Sequence, residues 1–209
     1  MAGASLDVRR GSVIVERLIL ERWGAYVHLD RRARRFATPA SVAKRTAGAE
    51  KSVKTADLVD AHDDRVLLCQ LPWRRFGRVR SFWGPVATIQ CFEDNALLKT
   101  VLGTPGRGRV LVVDGGGSTR RALLGDQIAS LLHSSGWAGI VINGAIRDSA
   151  EIDAMDVGVF CLGTSPKKSA KSGAGERDVP VRFGGVELRP GQYIYCDADG
   201  VLVSGEKLL

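Results

Sequence analysis

The sequence predicts an α/β fold for most of the chain, on three observations. Residues 110–113 are a continuous apolar run of strand length bounded by glycines, as expected for a strand buried on both faces, and residues 139–143 predict another buried strand. Helical periodicity marks residues 93–102 before the first run and residues 125–133 between the two. From residue 157 onward, short strand-like runs alternate with glycine turns. This order of elements is typical of an α/β architecture with a strand-rich second half.

Each element has a local signal. Thr55 is a candidate N-cap for a first helix, because apolar residues follow it at helical spacing. In the helix predicted over residues 125–133, Ile128 and the two leucines should face the core, and Gly144 predicts a turn before a helix from Ser149. The remaining predicted strands are residues 84–91, 179–183, 186–188, 193–196 and 201–203, with a polar loop at 167–175.

The net charge of +7 comes from the N-terminal quarter of the 209-residue chain. Residues 1–54 contain 12 lysines and arginines against 5 acidic residues, whereas residues 55–209 contain 18 of each. We therefore predict a basic N-terminal extension over residues 1–54 and one α/β domain over residues 55–209. The extension is interpreted as a solvated basic arm; a mitochondrial transit peptide is the alternative, although its acidic residues disfavour it.

Membrane insertion is not predicted, since no run approaches the ~18 apolar residues that a span requires. The cysteines form no CxxC pair, and we expect buried free thiols at Cys69, Cys91, Cys161 and Cys196. Free thiols indicate a reducing compartment, so a cytoplasmic location is predicted, with the mitochondrion as the alternative.

The most informative motif is Gly125-Asp126 followed, after 20 residues, by Arg147-Asp148. If Gly125 precedes a helix, the first amides of that helix lack internal partners and favour an anion, and glycine lets the ligand approach closely. Arg147 and Asp148 follow a buried strand, where open α/β sheets commonly bind ligands. The predicted binding residues for an anionic substrate are Gly125, Asp126, Gln127, Ile128 and Arg147.

Asp148 is the candidate metal ligand, because a hard carboxylate oxygen suits Mg²⁺ or Mn²⁺. The three histidines lie far apart in sequence, and the cysteines are scattered, which disfavours zinc. Water and substrate would have to complete the coordination of a single carboxylate. The structural alternative is that Asp126 caps a helix and that Arg147 and Asp148 form an ion pair in a turn.

Several longer strings carry a family resemblance. They are residues 91–95 (CFEDN), 107–117, 120–123 (RRAL) and 183–186 (FGGV), together with 141–148. From about Thr55 to Leu209 the chain resembles the family that contains 4-hydroxy-4-methyl-2-oxoglutarate aldolase and the regulator of ribonuclease E activity A. The resemblance implies a swivelling β/β/α-type domain and a homotrimer or hexamer.

The aldolase branch of that family implies roles for the motif. The residue matching Asp148 binds a divalent metal, the one matching Arg147 contacts the substrate, and the one matching Asp126 supports a metal-bound water. The backbone amides matching residues 125–128 hold the keto acid. The implied reaction is a class II retro-aldol cleavage in which the metal stabilises the pyruvate enolate, and oxaloacetate decarboxylation passes through the same intermediate.

The regulator branch supplies the competing hypothesis. Residues 91–95 and 107–117 look closer to that branch, which binds ribonuclease E and characteristically departs at the metal-binding aspartate. This chain keeps Arg147-Asp148, and function resides in sites rather than in folds. We therefore predict a metal-dependent aldolase that releases pyruvate from 4-hydroxy-4-methyl-2-oxoglutarate and decarboxylates oxaloacetate; the alternative is a non-catalytic regulator that binds a ribonuclease.

Overall fold

A computed structural model describes residues 53–209. The predicted basic extension, with its transit-peptide alternative, therefore lies outside the described residues except for positions 53 and 54. The helices are α1 Thr55–His62, α2 Ala96–Leu102, α3 Asp126–Ser134 and α4 Ser149–Asp153. The strands are β1 Val66–Leu68, β2 Arg74–Phe76, β3 Phe82–Gln90, β4 Val110–Asp114, β5 Ala122–Leu124, β6 Gly139–Ile146, β7 Val159–Thr164, β8 Glu176–Arg177, β9 Val181–Phe183, β10 Val186–Leu188, β11 Tyr193–Cys196 and β12 Val201–Ser204.

Ten of these strands form one mixed sheet. Its order is β1-β12-β11-β3-β4-β6-β7-β2, with β5 beside β6 and β8 beside β3. The central strands β3, β4, β6 and β7 run parallel, whereas β11 and β2 join them antiparallel on either side. Strands β9 and β10 make a separate hairpin.

Alternate residues of the central strands pack into two different layers. In β4, Leu111 and Val113 contact a cluster built from α2, α3 and α4, whereas Val110 and Val112 contact a cluster built from β9 to β12. Every residue of β4 and β6 is buried, which accounts for their continuous apolar runs. Each such side chain contributes about 1.5–3 kcal/mol on burial. The result is a helix layer, a central sheet and a second β layer, and the predicted α/β class is confirmed.

The turn predicted at Gly144 is wrong, because β6 continues to Ile146. The pairing of β6 with β7 shifts register between Ile142 and Ala145, so Gly144 lies at a bulge. A Cβ at this position would lie 3.3 Å from the Leu123 side chain. Glycine here permits the close approach of β5 to β6 instead of reversing the chain.

Two predicted helix starts also differ from the structure. Helix α2 begins at Ala96, and Glu93 has a left-handed φ of 51° that excludes it from the helix. Thr55 is the first helical residue rather than the N-cap, which is Lys54. Its hydroxyl donates instead to Asp197 Oδ1 at 2.6 Å, across 142 residues of sequence. Long-range contacts of this kind leave no local sequence signal.

The cysteine prediction is confirmed, since Cys69, Cys91, Cys161 and Cys196 are all buried and free. Burial raises the pKa of the Cys69 and Cys161 thiols to about 12, so neither is a reactive thiolate at neutral pH. Among the helices of residues 53–209, none has the length and apolar character to cross a bilayer.

The carboxylate of Asp197 links α1 to the turn between β11 and β12 by hydrogen bonds. It accepts the Thr55 amide at 2.7 Å, in addition to the Thr55 hydroxyl and the amides of Asp199 and Gly200. Burial alone would raise the pKa of this carboxyl, but the hydrogen bonds from Thr55, Asp199 and Gly200 outweigh burial and lower the pKa. A depressed folded-state pKa means that the ionised carboxylate stabilises the fold.

Replacing Asp197 with Asn should lower the free energy of unfolding by about 2 kcal/mol at neutral pH, because charge-assisted hydrogen bonds are lost. The stabilisation is present above pH ~4, the ordinary aspartate value, and is lost as pH falls through the lowered folded-state pKa. Urea unfolding at pH 7 and at about pH 3 measures this difference. Asp199→Asn, an exposed neighbour, is the control; an equal loss in both variants would contradict the role of Asp197.

Candidate active site

One β–α–β unit brings the two halves of the motif together. Strand β5 leads into α3, and the chain returns through β6, which runs parallel to β5 with Ile146 opposite Leu124. Gly125 and Arg147 therefore follow neighbouring strand ends, and the Arg147 amide donates to the Leu124 carbonyl at 2.9 Å. The interval of 20 residues is the length of α3 and β6 with their connection.

Gly125 is required for close approach rather than for its backbone angle. Its φ is −128°, an extended value that any residue adopts. A Cβ at this position would lie 2.7 Å from Asp148 Oδ2 and 3.0 Å from Arg147 Nε. The absence of a side chain thus lets both charged groups lie directly against the start of α3.

Asp148 has a left-handed backbone, with φ 52° and ψ 42°, immediately before α4. Aspartate tolerates this conformation better than most residues, yet it still costs on the order of 1 kcal/mol. The conformation places Oδ2 3.3 Å from Arg147 Nε and 3.4 Å from the Asp126 amide. The ion pair between Arg147 and Asp148, which was the structural alternative for this motif, is therefore present. The strained backbone also lies at the residue that the sequence predicts as a metal ligand.

The amides at the start of α3 already have acceptors. The Gln127 amide donates to Oδ1 of Asp126 at 2.7 Å, and the Ile128 amide donates to the Gly125 carbonyl at 3.1 Å. The helix end thus holds a carboxylate, as its dipole favours. The Gln127 amide can therefore bind another acceptor only when the Asp126 side chain moves away.

A cleft of about 430 Å³ opens beside α3. All five predicted substrate-binding residues line it, whereas Asp148, which pairs with Arg147, is not among the lining residues. The other wall carries Lys99 from α2 and Lys168 and Lys171 from the connection between β7 and β8. We call this volume the α3 cleft.

Sequence reasoning missed the three lysines. They come from segments distant from the motif, and the only local signal was the basic character of the polar loop at residues 167–175. That loop is fastened by Asp94, whose Oδ2 accepts the amide and the hydroxyl of Ser172 at 2.5 Å each. Burial opposes ionisation of Asp94, but these bonds and the Ala96 and Gly173 amides lower its pKa.

The side chains near the cleft can be compared with the ligands that a metal ion requires. Within residues 53–209, no group of three or more histidine, cysteine, aspartate or glutamate side chains is arranged to hold a metal ion. Asp126 nevertheless offers a carboxylate in the cleft lining, and Asp148 Oδ2 lies 3.4 Å from the Asp126 amide, next to that lining. This set fits Mg²⁺ or Mn²⁺, which keep several waters and take one or two carboxylates; it does not fit structural zinc.

Two other sequence features have structural roles. The amides of Gly115, Gly116 and Gly117 donate to Asn143 and Asp114, so all three glycine amides are paired within the fold. Trp73 packs edge-on against Phe160 and Phe183. Among the arginines that follow Trp73 in the sequence, Arg78 pairs with Asp156 and Arg80 pairs with Asp153.

The fold and the cleft define a class of protein: a three-layer α/β domain with a cleft at the start of a helix that connects two parallel strands. The chain belongs to the RraA-like family, since the family model described as Aldolase/RraA matches residues 55–203.

Similarity to solved structures supports the same family assignment. A Geobacillus kaustophilus protein described as S-adenosylmethionine:2-dimethylmenaquinone methyltransferase is 52% identical, with a TM-score of 0.73 over 75% of this chain and 97% of that one. The RNA-processing inhibitor RraA from Thermus thermophilis is 43% identical, with a TM-score of 0.72 over 75% and 95%. RraAS2 of Streptomyces coelicolor, described as an unusual member of the RNase ES inhibitor RraA family, is 33% identical, with a TM-score of 0.59 over 72% and 79%. The fold predicted from the resemblance is that of these proteins.

Proposed function

We propose that the chain is a divalent-metal-dependent aldolase, which releases pyruvate from 4-hydroxy-4-methyl-2-oxoglutarate and decarboxylates oxaloacetate. One observation carries the proposal: the start of α3, Arg147 and Asp148 converge on Gly125, whose missing side chain leaves room for both charged groups. A helix start that favours anions, a guanidinium and a carboxylate are the groups that a reacting keto acid and its metal ion need.

The residues of the cleft have different roles in the proposed reaction. Arg147 offers a planar fork for a carboxylate or keto oxygen, and the ion pair with Asp148 holds its orientation. The α3 amides bind the second oxygen of the substrate carboxylate, once the Asp126 side chain turns away from the Gln127 amide. Asp126 Oδ2, which has no hydrogen-bond partner among the described residues, can then accept the hydroxyl proton through a water molecule.

Asp148 would hold the cation, with Asp126 nearby, and water and substrate would complete the coordination. When bound, Mg²⁺ or Mn²⁺ supplies electrophilic stabilisation of the negative charge that develops on the keto oxygen. Lysine chemistry is not required, because no Schiff base enters this route.

The direct test couples pyruvate release to lactate dehydrogenase, with each of the two substrates. We expect turnover with Mg²⁺ or Mn²⁺ and its loss with EDTA, with recovery when the metal is restored. A rate that EDTA leaves unchanged would contradict metal dependence. The absence of turnover above background with both substrates would contradict the aldolase proposal itself.

A second candidate is a regulator that binds a ribonuclease, favoured by the 43% and 33% identity to proteins described as RNA-processing and RNase ES inhibitors. Such binding would not need metal and would depend on surface residues rather than on Asp148. Methyl transfer is not proposed, because a sulfonium donor is positively charged and four basic side chains line the cleft. A homotrimer or hexamer in the cytoplasm remains part of the proposal.

A further inference from the structure

Positive charge is concentrated in the α3 cleft. Residues 55–209 balance 18 basic residues with 18 acidic ones, yet the cleft lining holds four basic side chains and the single carboxylate of Asp126. Arg147 pairs with Asp148, whereas Lys99, Lys168 and Lys171 form no ion pair within the described part of the chain. A cluster of unpaired ammonium groups in a concave site attracts anionic ligands.

The segments that carry Lys99 and Lys168 are both fastened to β5. Asn95, just before α2, donates to a β5 carbonyl at 3.1 Å. Ser169 donates to another β5 carbonyl at 2.8 Å, and Arg121 donates to the Lys168 carbonyl at 2.9 Å. The strand that leads into α3 therefore also positions both lysine-bearing segments, so the two walls of the cleft are held in fixed relation.

We propose that Lys99 and Lys168 form a second anion subsite, which binds the distal carboxylate of a keto acid whose reacting end lies at Arg147 and α3. The assignment of the reacting end rests on the proposed function. The subsite itself follows from charge and position. A single substrate carboxylate bound at Arg147 and α3 would leave Lys99 and Lys168, on the other side of the cleft, without a counter-ion. Both substrates of the proposed function carry such a distal carboxylate, and the subsite assigns its recognition to Lys99 and Lys168.

Two unreactive ligands of equal carbon-chain length isolate the subsite. 2-Oxoglutarate and 2-oxopentanoate share the α-keto acid end and lack the hydroxyl needed for cleavage, but only the first carries a distal carboxylate. In calorimetric titration of the full chain with Mg²⁺, we expect 2-oxoglutarate to bind about tenfold more tightly, as two exposed ion pairs allow. The Lys99→Met/Lys168→Met double variant should abolish this preference without weakening 2-oxopentanoate binding.

Lys167→Met is the matched control, since Lys167 is an exposed neighbour of Lys168 outside the cleft lining. It should retain the preference. A wild-type chain without the preference, or a double variant that keeps it, would overturn the subsite. Failure of the aldolase proposal looks different: no pyruvate would be released from any substrate, while the lysine-dependent preference in binding would persist.

Discussion

Asp148→Asn should reduce kcat/KM for pyruvate release by about a thousandfold or more while leaving the fold intact. The carboxylate is the candidate metal ligand, and electrophilic stabilisation by a cation contributes several kcal/mol to such a reaction. Asparagine tolerates the left-handed backbone at position 148 as well as aspartate does, so the turn before α4 should persist. Steady-state kinetics with saturating Mg²⁺ measure the loss of kcat/KM, and circular dichroism tests whether the fold is intact.

The matched control is Glu151→Gln, which also removes one carboxylate, from the exposed first turn of α4. It should retain wild-type kcat/KM. Calorimetric titration with Mn²⁺ provides a second readout, in which Asp148→Asn loses metal binding and Glu151→Gln retains it. Full activity in the Asp148 variant would show that the proposed metal site is wrong, whatever the substrate.

The sequence predicted the parts of this fold that depend on local pattern. Strands β4 and β6 were identifiable because both of their faces are buried, which produces continuous apolar runs. Strand β5 was missed, since three residues carry no measurable periodicity. Its role is nevertheless central: it leads into α3, pairs with β6 and fastens the two lysine segments.

The candidate site, like the fold, was only partly predictable from the sequence. The motif at residues 125–126 and 147–148 was found because its charged residues stand next to a predicted helix start and a predicted buried strand, both of which have local sequence signals. Lys99 and Lys168 could not be found, because their convergence depends on hydrogen bonds to β5 from two distant segments. The contact of Asp148 with Gly125 was equally invisible, since it depends on a left-handed φ at an aspartate.

Gly125→Ala is expected to lower kcat/KM by about a hundredfold with little loss of stability. The added Cβ would lie 2.7 Å from Asp148 Oδ2 and 3.0 Å from Arg147 Nε, so something must move. Both atoms belong to side chains, which can shift at less cost than the backbone. Because a misplacement of about 1 Å in a reacting group can cost a hundredfold in rate, the damage should appear in catalysis.

The free energy of unfolding separates this prediction from a general packing defect. Gly125 has an extended φ, so alanine adds no backbone strain, and we expect the loss of stability to stay within about 1 kcal/mol. Gly205→Ala is the control, because a Cβ there meets nothing within 4 Å. If Gly125→Ala retained wild-type kcat/KM, the close approach of Arg147 and Asp148 to α3 would be irrelevant to the reaction. If it instead unfolded the domain, the approach would be a packing requirement, and catalysis would have to be assigned on other grounds.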